Sequence, residues 1–134
     1  APVPGLRATT VARTFLYDPT LVLDRNILDD QGRVLFPAGT RTNPLEVVAL
    51  SKRLLFFDAR DPRQVQRARH LIDAYSGRVK PILVGGSYLD LMKRWRVRVY
   101  YDQDGALTRQ LGIAQVPALV SQEGFLLRID ELEP

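Results

Sequence analysis

From Arg53 onward the chain alternates short apolar runs with helix-start signals, and this alternation constrains the fold more than any other feature. Arg53–Asp58 (RLLFFD) is a continuous apolar run between charged ends, the pattern of a strand buried on both faces. Asp61-Pro62 joins an N-cap to a proline at the first helical position. Val65, Ala68, Leu71, Ile72 and Tyr75 then follow at helical spacing, and Gly77 supplies the stop. Pro81–Val84 is a second buried run and Gly85-Gly86 a tight turn. Ser87–Asp90 has the capping-box pattern, opening a short helix whose apolar side is Leu89, Met92 and Trp95. The alternation of Arg96, Val97, Arg98 and Val99 predicts a strand starting at residue 97. Asp102–Gly105, with Asp104 as N-cap, leads into a third short helix ended by Gly112. Ala118–Ser121 and Phe125–Ile129 flank the turn Gln122-Glu123-Gly124 as an antiparallel hairpin. The order β-α-β-α-β-α-β-β puts parallel βαβ units ahead of that hairpin, an α/β mixed sheet flanked by helices.

Upstream the pattern is different. Residues 1–14 are rich in Pro, small and polar residues without periodicity and read as a flexible tail. Residues 15–50 read as a β-hairpin arm and linker: Ile27-Leu28 and Val34-Leu35-Phe36 flank the turn-rich Asp29-Asp30-Gln31-Gly32, and Asn43-Pro44 begins a short helix or turn. Residues 51–134 form the domain proper.

Composition closes off much chemistry. Among 134 residues there is no cysteine, which excludes a disulfide framework, a thiolate zinc site, an iron–sulfur cluster and a thiol nucleophile. The one histidine, His70, has only helix-surface neighbours and reads as a rim residue. Asp102, Asp104 and Glu123 lack any metal-loop spacing. Gly85-Gly86-Ser87 lacks the remainder of a phosphate-loop motif. No catalytic, metal or cofactor residue is assigned, and the reading is of a protein that is not an enzyme. The net charge of +4 rests on sixteen Arg and three Lys, too little for a strong polyanion binder. No apolar run is long enough to cross a membrane, so no membrane insertion is expected.

The connector Leu111-Gly112-Ile113-Ala114-Gln115-Val116-Pro117-Ala118-Leu119-Val120, set in this element order, resembles the thioredoxin-like fold. The resemblance implies a cis Val116–Pro117 bond. It matches the family's dithiol positions to Gly85, Gly86, Ser87 and Tyr88, where without sulfur no thiol exchange can run. Thioredoxin-like domains add a helix after the last hairpin. Here residues 130–134 are too few, so one sheet face is expected to need cover from the arm or from a partner.

A closer resemblance spans most of the chain. Tyr17–Thr20, Asp29–Arg41 (DDQGRVLFPAGTR), Ile82–Ser87, Tyr101–Gly105 and Val116–Gly124 (VPALVSQEG) are similar to the TraW family of F-type conjugative type IV secretion. That resemblance implies a periplasmic protein of pilus assembly with a TrbC-like protein as partner. Family members are longer at the amino end and carry an export signal, so the sequence is taken as a mature or trimmed form. The expected partner groove is Gly86, Ser87, Tyr88, Val116 and Pro117, with the Val116 backbone offered to an extended peptide. The alternative is a nucleic-acid-binding module using the basic strand Arg94–Arg98 around Trp95.

Overall fold

The structure, a computed structural model, describes residues 1–134. In chain order the strands and helices are β1 (Arg7–Ala8), β2 (Arg13–Tyr17), β3 (Leu21–Val22), β4 (Ile27–Leu28), β5 (Val34–Phe36), β6 (Arg41–Thr42), β7 (Arg53–Asp58), α1 (Pro62–Ala74), β8 (Val79–Gly85), α2 (Tyr88–Trp95), β9 (Tyr100–Tyr101), α3 (Ala106–Leu111), β10 (Gln115–Val116), β11 (Ala118–Glu123) and β12 (Leu126–Glu131). The main sheet has six strands in the order β2-β12-β11-β7-β8-β9. β7, β8 and β9 are parallel; β11 runs antiparallel to β7 and β12, and β12 to β2. This is the expected mixed α/β sheet flanked by helices.

Local chemistry sets the element ends. Asp61 accepts the Arg63 N–H and Pro62 opens α1. Ser87 Oγ accepts the Asp90 N–H at 3.2 Å to start α2. The third helix departs from expectation: Asp102, not Asp104, does the capping. Its buried carboxylate takes the N–H groups of Leu107 and Thr108 and the Thr108 hydroxyl. Leu55, Phe57, Ala68, Ile72, Leu83 and Leu91 bury one sheet face under α1 and α2. Phe56, Ile82, Val84, Leu111, Val116 and Ile129 bury the other.

Three further expectations are corrected. Residues 1–14 are not a tail. Val3 is buried, its N–H donates to Val84 O at 2.8 Å, β1 pairs in parallel with β10, and β2 is an edge strand of the main sheet. Prolines and Gly5 hide the periodicity there, because the segment is held largely through its backbone. The body of the domain is therefore residues 1–17 together with 51–134. Accordingly the second sheet face is covered by α3, by Val3 and Leu6, and by Phe15 and Tyr17 from the first residues of the expected arm, not by the arm's ribbons. The strand expected from residue 97 shrinks to Tyr100–Tyr101. The helix before it runs through Trp95 and ends with Arg96 in the left-handed region. Pairing stops because the register of Tyr100 on Ile82 would set Pro81 opposite Val99, and Pro81 has no N–H for a ladder.

Residues 18–50 form the arm, two short ribbons built from β3 with β6 and β4 with β5. Asn43 is its only buried residue. The Asn43 side chain fastens the arm to the Phe125 carbonyl at 2.9 Å and caps the turn at Pro44–Glu46.

Candidate functional site

The end of the sheet around Pro117 gathers most of the ordered polar chemistry. The Val116–Pro117 peptide is cis, and both residues are buried. Ala118 pairs with Phe56, so the proline lies against the carboxyl end of β7, while Gly85 at the end of β8 pairs with Asp58 on the other side. The turn between β7 and α1, Ala59-Arg60-Asp61, thus stands between the two halves of the expected groove. Gly86, Ser87 and Tyr88 line a cavity of about 370 Å³ with Arg60, Leu89 and Tyr101, and neither Val116 nor Pro117 borders it. The expected five-residue groove is not one surface. Which strand neighbours the proline hairpin depends on strand order, and no local pattern encodes it.

The Val116 backbone is already in use. Arg7 N–H donates to Ala114 O at 3.3 Å and Thr9 N–H to Val116 O at 2.9 Å, so β1 fills the place where a foreign peptide would add. Below it lies a network that sequence reasoning missed. Buried Glu131 accepts both Arg13 Nε (2.9 Å) and Nη2 (2.8 Å), the Ala114 N–H (2.9 Å) and the Gln115 side-chain amide (2.9 Å). Gln115 in turn accepts the Thr10 N–H and donates to Val11 O. Burial alone would raise the Glu131 carboxyl, but the donors from Arg13, Gln115 and Ala114 outweigh it and bring its pKa to about 2. A lone Glu near Asp130 and Glu133 carries no local signature, so only tertiary structure identifies it.

The other carboxylates at this end are matched as well. Asp58 pairs with Arg60 at 2.7 Å and Asp61 with Arg63 at 2.9 Å. Burial pushes Asp58 up, yet the Arg60 hydrogen bonds hold it below the usual carboxylate range; Asp61 is held low chiefly by Arg63. Glu131, Asp58 and Asp61 are thus all held below the usual carboxylate range, and none of the three accepts from a hydroxyl. The arrangement fixes backbone and holds charge.

Gly86 is specified by this packing. Its φ is +91°, and an added Cβ would lie 2.8 Å from the Ala59 Cβ. Gly86→Ala is expected to cost about 2 kcal/mol through the left-handed backbone and the clash. A thermal melt checks it; an unchanged midpoint would contradict this close approach.

The remaining candidates scatter. Arg94 borders a cavity of about 390 Å³ with Arg69, His70 and Trp95, Arg96 caps α2, and Arg98 borders a different cavity with Lys80 and Tyr100. The basic strand of the nucleic-acid alternative is not formed. His70 is exposed on the rim of its cavity.

Fold and site together define a cysteine-free, mixed-sheet α/β domain whose proline groove is closed by its own amino-terminal strand and from which a hairpin arm projects. No family profile matches the chain, and no solved structure does. The chain is similar to protein TraW of Escherichia coli (strain K12), with 40% identity over 119 residues, 89% of this chain and 56% of that protein. It thus spans about half the length of the curated relative it matches. The match supports membership of the TraW family.

Proposed function

We propose that this chain is a non-enzymatic periplasmic assembly protein of a conjugative type IV secretion system, acting in pilus assembly by binding a TrbC-like partner through its hairpin arm. The observation that carries the reading is the arm itself. Leu21, Val22, Ile27, Leu28, Val34, Leu35 and Phe36 are all exposed, on two-stranded ribbons with no core of their own. Isolated two-stranded ribbons are marginal in water, and clustered exposed apolar side chains mark interaction surfaces. The self-filled groove beside Val116 favours the arm over the proline end as the contact.

The test is a binding titration of the full chain with the TrbC-like protein of the same transfer system, beside the double variant Val34→Asp/Phe36→Asp. Both side chains are about half exposed, so the variant should melt like the parent. Central apolar anchors are worth about 2 kcal/mol or more each, so affinity should fall by at least about 100-fold. Equal affinity of parent and variant, or no binding by either, would overturn the reading.

A further inference from the structure

Charges divide between the two ends of the sheet. At the proline end Arg13, Arg60 and Arg63 each have a carboxylate partner, while Arg7 and Arg109 stand singly. At the opposite end, where β7 and β8 begin, Lys52, Arg53, Arg78, Lys80 and Arg98 gather, and none of them makes an ion pair within 4.0 Å. Arg53 N–H donates to Arg78 O at 3.2 Å, and Arg53 and Arg78 border one cavity of about 440 Å³. Lys52, Lys80 and Arg98 border a second cavity of the same size, and Leu50 and Ser51 form the wall the two share. The carboxylates near this end are Glu46 on the arm, Asp73 on the last turn of α1, 2.7 Å from Arg69, and Glu123 at the hairpin turn, 3.9 Å from Arg128.

Beside these cations stand exposed apolar side chains. Val47 is 81% exposed and Val48 70%, on the segment leading directly into Lys52. Phe125 is 57% exposed, and its carbonyl holds the Asn43 anchor of that same segment. We propose that this end of the domain docks on an anionic lipid surface, with Val47, Val48 and Phe125 entering the headgroup–acyl boundary and Lys52, Arg53, Arg78, Lys80 and Arg98 facing phosphate headgroups. The pairing of a cation cluster with a small apolar tip is what such a surface rewards.

Two features favour lipid over single-stranded nucleic acid. The aromatic faces on which bases would stack already carry cations: Arg53 lies 3.9 Å over Tyr75, and Lys80 lies 4.1 Å over Tyr100 with Arg98 at 5.1 Å. In addition, the exposed valines have no counterpart among phosphates and sugars. The proposal needs no protein partner, so it stands or falls separately from the arm's role in assembly.

The experiment is co-sedimentation of the full chain with vesicles of phosphatidylcholine plus phosphatidylglycerol, and with vesicles of phosphatidylcholine alone. Binding is expected only to the anionic vesicles and should weaken as salt is raised. Arg53→Gln/Lys80→Gln should lower partitioning by about 30-fold. Val47→Ser/Val48→Ser should lower it by about tenfold or more. The valine pair is so exposed that this variant must melt like the parent, which keeps the test valid even if the charge variant is destabilised. No vesicle binding, equal binding to neutral vesicles, or undiminished binding by the valine variant would overturn the proposal. So would tighter binding to a single-stranded oligonucleotide or to polyglutamate at the same salt.

Discussion

Glu131→Gln is expected to destabilise the domain by about 3 kcal/mol at neutral pH and to remove about that much of the stability loss that the parent shows in acid. Glu131 has no exposed side-chain surface, and its carboxylate is held by Arg13, Gln115 and the Ala114 N–H. Its carboxyl is depressed from an ordinary 4.5 to about 2 in the fold. A depressed carboxyl contributes its full stability above its unfolded value and loses it as pH falls towards the folded one. The parent should therefore lose about 3 kcal/mol between about pH 5 and pH 2 from this group. Asp58 and Asp61 titrate in the same sense and remain in the variant. Urea midpoints measured along a pH series distinguish the two chains: parallel acid limbs for parent and variant would refute the assignment.

Val3→Asp should cost about 4 kcal/mol, because it puts a carboxylate into the apolar cluster of Phe56, Val84 and Leu111. Val3 is packed so closely that a Cβ on Gly105 would lie 2.6 Å from its Cγ1. Val3→Ala, which only removes two methyl groups, should cost about 1–2 kcal/mol. For a chain of this size the aspartate variant is expected to melt about 15 °C lower. Amide exchange gives an independent readout, since the Val3 and Thr9 amides, bonded to Val84 O and Val116 O, should be protected. Neutral behaviour of both variants would mean that the amino-terminal strand does not seal this face.

The elements read from the sequence were those whose signals are local. RLLFFD, the capped Asp61-Pro62 helix and the Asp29–Gly32 turn sit where periodicity and turn chemistry put them. The misses have one cause, a dependence on distant residues. Residues 1–9 show no pattern because their place is fixed by carbonyls more than a hundred residues away as well as by Val84. The resemblance joins the turn after Val84 to Val116 and Pro117 in one groove, and nothing in the sequence says that β7, not β8, adjoins the proline hairpin. Val97–Val99 alternate like a strand, but their neighbour in register is a proline. The unpaired cations at residues 52, 53, 78, 80 and 98 look dispersed until parallel strand starts bring them to one end.

The strand lodged beside Val116 has a consequence for traffic at the proline. Because it is tethered, it competes with any incoming chain at an effective concentration on the order of millimolar. A free segment of ordinary weak affinity loses that contest, so the proline end screens out casual binders. Only a ligand that also unzips Thr9 from Val116 and releases Val3 can take the seat.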